Sequence, residues 1–382
     1  MDFNLTADQQ RRRDAARKFA EQQLAPGYRR REQQGGIEPR IRIQMGQSGF
    51  IAPEVPPTYG GRGLDRLTSG MLVEEISRGD FSVAYLQVVG SLVAQVLVEN
   101  ATPELAASWV PKICAGEEVV GIGLTEPHAG SDAANPHLRA RRDGDEYVLD
   151  GTKSLSFAAE AAAAVVFART DEQQSGSKGI SAFLVPLDLP GVTREPYSDM
   201  GTKAVGRGAV HFQRTRIPAD HLLGREGEGF SQVMKGFDFS RALIGLQCLG
   251  AAQVTVDETW EHVTRRQAFG QPLSKFQGVS FPLAEAETVL SAARLLCYQT
   301  LWLKDQGAPH TAQAAMCKWW APKTAFEVIQ DCLLLHGQYG YRTDLPIEQR
   351  LRDVLGLQIG DGTAQIMKLV VARQRVGRAL AP

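Results

Sequence analysis

The hydrophobic pattern of the chain changes its period twice, and this change limits the possible folds more than any other feature. Before Glu117 and after Glu228, apolar residues recur at helical spacing in long segments. Between these points, short runs rich in β-branched residues alternate with turn residues, as is typical of an antiparallel sheet. The order predicts an α+β protein that is mainly α: an N-terminal helical domain at 1–117, a middle antiparallel β domain at 118–225 and a C-terminal helical bundle at 226–382.

Local signals mark where helices begin and end. Thr6, with Gln9 three residues later, forms a capping-box pattern. Thr102 and Pro103 combine an N-cap with a proline at the first helical position. Gly79 begins a break that divides a largely apolar segment into two buried helices. The C-terminal part contains segments long enough for a bundle, at 229–268, 277–306, 311–336 and 362–379. The middle part contains predicted strands at 119–124, 146–150, 164–169, 180–185 and 209–213.

The charge balance and the length of the apolar runs argue against two kinds of partner, nucleic acids and membranes. Lys and Arg number 42 and Asp and Glu number 43, so the formal net charge is −1. A balanced chain has no electrostatic case for nucleic acid as its main partner. The apolar run at 158–168 is short of the roughly 20 residues that a membrane span needs. Residues 1–10 lack the pattern of a secretory signal, so a cytoplasmic location is expected.

The cysteines and histidines indicate neither a disulfide framework nor a metal site. The five cysteines are scattered and contain no CxxC pair. The seven histidines are spread along the chain without the spacing of metal ligands. Reduced, buried thiols and no bound metal are therefore expected.

Two segments combine glycine with polar residues in a way that packing explains poorly. The first, at 123–132, reads GLTEPHAGSD and follows a predicted strand. Its hydroxyls and backbone N–H groups suit a phosphate or the edge of a heteroaromatic ring. The second, at 356–365, reads GLQIGDGTAQ and places Asp361 between two glycines, which free the backbone to approach a ligand. Because Asp361 precedes the predicted helix at 362–379, a helix N-cap is its alternative role.

Two further segments place a charged residue near an aromatic one. The segment 237–241 reads FDFSR and lies near the start of a long helix. The segment 266–270 reads RQAFG, and its arginine and phenylalanine could hold a phosphate and stack on a base. A simple helix end at Gly270 is the alternative interpretation.

Together, in this order, the four segments resemble the acyl-CoA dehydrogenase family over nearly the whole chain. The LTEPxAGSD and GTxQI patterns are the specific ones. The run HGQYGY at 336–341, followed by Arg350, Arg352 and Asp353, is also similar to the family. The resemblance implies a homotetrameric flavoprotein that holds FAD non-covalently, acts on an acyl-CoA substrate and passes electrons to an electron-transfer flavoprotein.

The resemblance also implies roles for individual residues. It assigns to FAD the residues Leu124, Thr125, Gly130, Ser131, Leu155, Phe157, Arg266, Phe269, Gly337, Gln338, Thr363 and Gln365. Among these, Arg266 and Phe269 are expected to reach the FAD of a neighbouring subunit. It assigns to the substrate the residues Asp238, Arg241, Gly360 and Gly362.

Asp361 is implied to be the catalytic base. It would remove the α-proton of the thioester while the β-hydrogen leaves as hydride to the flavin, giving a 2-enoyl thioester. Burial of the carboxylate would raise its pKa and make it a stronger base. The segment 85–91, which the resemblance places at the base of the pocket, has no second acid. Plain α,β-dehydrogenation is therefore expected.

Three departures from the family pattern bear on the substrate. Asp361 stands where glutamate is usual, Gly360 where a bulky aromatic residue is common, and LSFA at 155–158 where W-[IT]-T-N is usual. Aspartate is shorter by one C–C bond, about 1.5 Å. The space so opened predicts an α-branched or cyclic acyl group, with cyclohexanecarboxyl-CoA favoured.

Alternatives remain open at this point. An α-methyl-branched acyl-CoA is the next substrate, and an acyl group on a carrier protein also fits. A nitroalkane oxidase-like flavoenzyme on the same fold also resembles the chain, because such an enzyme uses an aspartate base. A non-catalytic binding or assembly protein is a further alternative, which the acid between two glycines argues against.

Overall fold

The N-terminal part is helical, as predicted. The computed structural model describes residues 4–381, except for the side chains of Gln232, Val233 and Lys235. Six α-helices form this part: α1 Ala7–Phe19, α2 Tyr28–Gln34, α3 Pro39–Gln47, α4 Arg66–Gly79, α5 Phe81–Asn100 and α6 Pro103–Ala115. The capping box at Thr6 is present, and Thr102 caps α6. Asp80 divides α4 from α5, because its carboxylate accepts the Val83 backbone N–H at 3.0 Å and so starts a new helix.

The middle part is an eight-stranded sheet with the order β6-β7-β3-β2-β4-β5-β8 and with β1 beside β4. Its strands are β1 Val120–Gly123, β2 Arg139–Asp143, β3 Glu146–Leu155, β4 Ala163–Arg169, β5 Ile180–Pro186, β6 Val192–Pro196, β7 Gly208–Pro218 and β8 Leu222–Leu223. The prediction of a purely antiparallel sheet is wrong for two pairs of strands. Strands β1 and β4 run parallel, because the long connection through β2 and β3 returns the chain in the same direction. Strands β2 and β4 are also parallel where Arg139 lies beside Arg169.

The C-terminal part is a bundle. It contains α7 Gly229–Arg265, α8 Gln277–Asp305, α9 Thr311–Leu335, α10 Gln338–Tyr341, α11 Ile347–Gly356 and α12 Ala364–Val376. A hairpin of β9 Gln267–Ala268 and β10 Gln271–Pro272 follows α7. The predicted fold class is confirmed. The hairpin, α10 and α11 were not predicted.

Helix α5 is the most apolar helix and the centre of the molecule. By length and composition alone, α5 could cross a membrane. The sequence-based argument against a membrane span considered the apolar run at 158–168 and overlooked this longer one. In the fold, 89% of the most apolar 18-residue window of α5 is buried. It packs against α4, α6, α7 and β1, so it joins the helical parts to the sheet. The candidate site forms where α5, α7, α9 and the turn between α11 and α12 meet.

Candidate active site

The turn between α11 and α12 presents Asp361 in an unusual backbone conformation. Asp361 has a φ of +55°, a region that only short polar residues and glycine enter readily. Helix α12 begins at Ala364, and the Thr363 hydroxyl accepts the Ile366 backbone N–H at 3.4 Å. The alternative role of Asp361 as helix N-cap is therefore wrong, because Thr363 is the cap. The Asp361 carboxylate therefore takes no part in capping α12.

Lys318 of α9 fixes this turn from behind. Its ammonium group donates hydrogen bonds to the Leu357 carbonyl at 2.6 Å and to the Gly362 carbonyl at 3.1 Å, on both sides of Asp361. The side chain is only 1% exposed, and burial lowers its pKa to about 8. The sequence analysis missed Lys318. Its sequence signal was a lysine between apolar neighbours, Cys317 and Trp319, where an unpaired buried charge would be costly.

The electrostatics of Asp361 favour proton transfer. Burial raises the pKa of its carboxyl group, against the opposite effects of Lys318, Arg241 and Tyr85. Because burial prevails, the carboxylate binds a proton more readily than an exposed aspartate does. Such a group can act as a base toward a weakly acidic C–H bond.

Asp238 and Arg241 form an ordered pair on α7 beside Asp361. Arg241 donates to Asp238 at 2.8 Å, and Thr311 donates to the other oxygen of Asp238 at 2.6 Å. The Arg241 guanidinium acts electrostatically on Asp361, although 120 positions separate them. Its Nε is buried and has no hydrogen-bond partner. A buried donor without a partner is destabilising unless a ligand satisfies it, so Arg241 is placed as a ligand-binding residue would be.

A buried ion pair shapes the turn at 124–131. Lys153 of β3 donates to Glu126 at 2.7 Å and to the Leu124 carbonyl at 3.1 Å. Glu126 also accepts two backbone N–H groups, from His137 and Leu138. The turn is thus fixed from inside, and Thr125, Gly130 and Ser131 lie exposed on it. The sequence analysis assigned no role to Glu126 or Lys153.

The end of β3 divides its side chains between the core and the site. Leu155 and Phe157 are each 1% exposed and belong to the hydrophobic core. Ser156 between them points the other way, and its hydroxyl lies 3.3 Å from the Tyr85 hydroxyl. The Tyr85 ring stacks on Phe157 with centroids 6.1 Å apart. Any contact of Leu155 with a flavin would thus involve its backbone.

A second group of predicted residues lies at the surface of the C-terminal bundle. Arg266 is exposed, and Phe269 at the hairpin tip is 94% exposed. His262 of α7 stacks on His336 with centroids 4.3 Å apart. Because His336 precedes Gly337, this contact brings the hairpin near the turn of Gly337 and Gln338. Within the described residues, no hydrogen bond, ion pair or ring contact joins this group to Asp361. Gln365 is exposed on α12.

The donor groups of these two surfaces fit FAD. The exposed hydroxyls of Thr125 and Ser131 and the exposed guanidinium of Arg266 are groups that bind phosphate. At Gly130 and Gly337, a Cβ atom would meet nothing within 4 Å, so a ligand can approach the backbone there. The residues present are therefore suitable for a dinucleotide.

Comparisons with known proteins match all three parts of the chain to one family. Models of the acyl-CoA dehydrogenase N-terminal, middle and C-terminal domains match residues 6–117, 121–215 and 227–375. The short-chain specific acyl-CoA dehydrogenase of Bos taurus mitochondria is 38% identical over 94% of this chain and 88% of the relative.

Two solved structures are similar over nearly their full length. One is described as the electron transferring flavoprotein of Acidaminococcus fermentans; it has a TM-score of 0.95 and 36% identity, over 98% of this chain and 100% of that chain. The other is a glutaryl-CoA dehydrogenase from Mycobacterium smegmatis in complex with FADH2, with a TM-score of 0.92 and 26% identity, over 98% and 96% of the two chains. The chain is an enzyme of the FAD-dependent acyl-CoA dehydrogenase family.

Proposed function

We propose that the protein removes two hydrogens from the α- and β-carbons of an alicyclic acyl-CoA, such as cyclohexanecarboxyl-CoA, with Asp361 as the base. The observation that carries the proposal is the Asp361 carboxylate itself. It is held in a left-handed turn, is not used as a helix cap and has a pKa raised by burial.

The residues of the chain account for the proton part of the reaction. The Asp361 carboxylate accepts the α-proton, while Lys318 holds the carbonyls on both sides of it and so fixes its position. The unpartnered Nε of Arg241 is available to the CoA thioester. FAD, held by the exposed donors of the 124–131 turn and the hairpin surface, supplies hydride acceptance when bound. A positioned base and a fixed substrate together lower the barrier for a weakly acidic C–H.

The surroundings of Gly360 support a bulky acyl group. A Cβ atom there would meet the Gly356 carbonyl at 3.5 Å and Leu357 at 3.7 Å, so no large side chain now fills this position. The Tyr85 ring, which is backed by the buried Phe157 ring, provides a flat apolar face. Space at the α-carbon and a flat wall together suit a saturated ring.

A straight short-chain acyl-CoA is the second candidate. The 38% identity to the bovine short-chain enzyme favours it. The two candidates share the base and the cofactor, and differ only in whether the space at Gly360 receives a ring.

The remaining parts of the proposal concern partners. The similarity to the structure described as an electron transferring flavoprotein supports a flavoprotein as the electron acceptor. We also propose a homotetramer, supported by the exposed Phe269, which contacts only Phe276 edge-on among the aromatic rings of the described residues. We propose a cytoplasmic location as well, supported by the five free cysteines, which suit a reducing compartment.

Anaerobic flavin bleaching tests the function. The FAD-loaded protein is mixed with cyclohexanecarboxyl-CoA, an α-methyl acyl-CoA, butyryl-CoA and nitroethane, and the flavin absorbance is followed by stopped flow. We expect the fastest reduction with the cyclic thioester. Fastest reduction by butyryl-CoA would establish the second candidate, and reduction by nitroethane alone would replace both with a nitroalkane oxidase.

The variant Asp361→Asn tests the base in the same experiment. Asparagine tolerates a positive φ as well as aspartate does, so the fold and FAD content are expected to stay unchanged. A neutral amide cannot accept the proton, so flavin reduction is expected to slow by about three orders of magnitude or more. Asp344→Asn, in an exposed loop after α10, is the control and is expected to behave as wild type. Near wild-type bleaching in Asp361→Asn would rule out this base.

A further inference from the structure

Two stacked histidines join the end of α7 to the end of α9. The His262 ring of α7 lies on the His336 ring, with centroids 4.3 Å apart and an interplanar angle of 24°. His336 follows directly after α9 and is only 6% exposed. Among the ring contacts of the described residues, no other joins these two helix ends.

Each histidine lies at the base of a segment that is assigned to FAD. The His262 backbone carbonyl accepts the Arg266 N–H at 2.8 Å, where α7 ends and the hairpin begins. His336 immediately precedes Gly337, whose φ of +59° and ψ of −134° form a conformation that glycine enters far more readily than other residues. The stack therefore connects the hairpin that carries Arg266 to the turn that carries Gly337 and Gln338.

The position of the His336 ring is set by its own helix. Its Nδ1 lies 2.9 Å from the Cys332 carbonyl oxygen, which can only accept, so Nδ1 carries a proton and donates it. The His336 backbone N–H donates to the same carbonyl at 3.1 Å. In the neutral ring, Nε2 is then the atom that a further proton would occupy. His262 thus stacks on a ring whose orientation α9 determines.

Protonation would weaken this stack. Burial and the charges of His336 and Arg266 lower the pKa of His262, so its neutral form is favoured near pH 7. Two neutral rings can stack, whereas a proton on each ring would place two like charges in contact. Because the closed arrangement lowers the pKa, it binds fewer protons than an open one, and acid therefore favours the open arrangement.

Other charged groups of three helices lie close to the pair. They are Glu258, Glu261 and Arg265 of α7, Asp331 of α9 and Arg350 of α11. Four of them form ion pairs, Glu258 with Arg350 and Glu261 with Arg265. All five stay in place when only position 262 is changed. A difference between two variants at this position therefore reports on the ring of residue 262.

We propose that His262 and His336 are positioning residues of the FAD site: their stack holds the hairpin of Arg266 against the turn of Gly337 and Gln338, and protonation of the stack releases FAD. The proposal rests on the proposed function, in which these two segments hold FAD. It adds an acid-induced loss of the cofactor, which the action of Asp361 as a base does not require.

The first measurement is the release of FAD from the loaded protein. The protein is diluted into buffers from pH 5.5 to pH 8, and the released flavin is followed by its fluorescence, calibrated with free FAD at each pH. In wild type we expect release to be about tenfold faster at pH 5.5 than at pH 7.5, the change that corresponds to one pKa unit. His262→Ala removes the stack and is expected to release FAD about tenfold faster already at pH 7.5.

The variant His262→Phe separates stacking from protonation. Phenylalanine keeps a ring on His336 but has no nitrogen to protonate. We expect release close to wild type at pH 7.5, and an increase of about threefold or less at pH 5.5. His221→Phe is the matched control, because His221 also donates from Nδ1 to a backbone carbonyl, that of Leu184 at 2.8 Å in the middle part of the chain. It is expected to behave as wild type.

The second measurement is amide hydrogen exchange of the hairpin, followed by mass spectrometry of the peptide 266–276 in excess FAD at pH 7.5. Excess FAD keeps the site loaded in every variant. We expect faster exchange of this peptide in His262→Ala than in wild type, and wild-type exchange in His262→Phe. The peptide 163–169, which is strand β4, is expected to exchange equally in all three proteins.

The outcomes separate the two proposals. Unchanged FAD release in His262→Ala would overturn the role of the stack. Slower release in acid would overturn it as well, because a protonated pair would then attract the FAD phosphates, and so would an equal pH dependence in wild type and His262→Phe. The expected changes in a protein whose flavin no acyl-CoA reduces would uphold the stack and reject the proposed function.

Discussion

The main evidence for a catalytic base is a single residue, Asp361, in a left-handed backbone conformation. Asp361 has a positive φ without being a glycine, and such strain persists where the surrounding structure imposes it. The Lys318 bonds to the Leu357 and Gly362 carbonyls impose it here. A lysine of α9 thus fixes the turn that carries the Asp361 carboxylate.

Gly360 gives a test of selectivity at this scale. Its φ is not in the left-handed region, and an added Cβ makes only ordinary contacts, so Gly360→Tyr is expected to fold. The new ring would fill the space proposed for the cyclic acyl group. Turnover of the cyclic substrate is expected to fall by about tenfold or more, and that of butyryl-CoA much less.

The control for this variant is Gly356→Tyr, on the exposed end of α11, where a Cβ meets nothing within 4 Å. Steady-state rates on both substrates, at matched FAD content, decide the result. Equal losses on both substrates in Gly360→Tyr would remove the argument for space at Gly360.

Among the elements, the hairpin after α7 differs most from its sequence-based prediction. Helix α7 ends at Arg265, and Gly270 belongs to a two-residue hairpin turn, so the interpretation of Gly270 as a helix end is wrong. Phe269 and Gly270 both have a positive φ, which this type of turn requires. The hairpin holds Phe269 out in solvent, a position suited to contact with another subunit.

Arg266→Ala tests whether this element holds FAD. A guanidinium–phosphate contact is charge-assisted, so its loss is expected to weaken FAD binding by about tenfold or more. Arg265→Ala is the control, because Arg265 is one position away and pairs with Glu261 on the helix surface. The measurement is the dissociation constant of FAD by fluorescence titration of the apoprotein. Equal affinities in the two variants would contradict the assignment.

Several elements that were not predicted from the sequence have polar faces. Their polar side chains pair with residues of other elements. Strands β2 and β6 are largely exposed and contain several charged residues. Periodicity detects apolar faces, so these two strands give it little signal. In α11, Arg350 pairs with Glu258 of α7 and Arg352 with Glu32 of α2, and such pairs with distant residues cannot be read from a local pattern.

At the scale of the whole molecule, Asp353 joins the three parts of the chain. Its carboxylate accepts the Tyr28 hydroxyl of α2 and the Thr202 backbone N–H of the middle part, each at 2.5 Å. Asp353 is 1% exposed, and burial raises its pKa to about 7. The unfolded-state pKa of an aspartate is about 3.9.

This difference predicts how stability changes with pH. Between about pH 4 and pH 7 the folded protein binds more protons at Asp353 than the unfolded chain does. The contribution of this group to stability is therefore present at low pH and is lost as pH rises through 7, by at most about 1.4 kcal/mol per pH unit. Asp353→Asn removes the titration and keeps a side chain of the same shape.

Thermal unfolding midpoints from pH 5 to pH 8 provide the measurement. Relative to Asp353→Asn, the wild-type midpoint is expected to fall as pH rises. Asp344→Asn, which alters an exposed carboxylate, serves as the control and is expected to stay parallel to wild type. A wild-type curve parallel to that of Asp353→Asn would show that Asp353 is already ionised in the fold at pH 5.

The sequence by itself determined the order of helical, β and helical parts, because hydrophobic period and turn residues are local properties. It also singled out Asp361, because an acid between two glycines is unusual for packing. Only the structure showed that Thr363, and not Asp361, caps α12, and that Lys318 of α9 holds the turn. The two Lys318 hydrogen bonds join residues 39 and 44 positions apart. No local pattern encodes such pairs, because their formation depends on how α9 and the turn pack together in space.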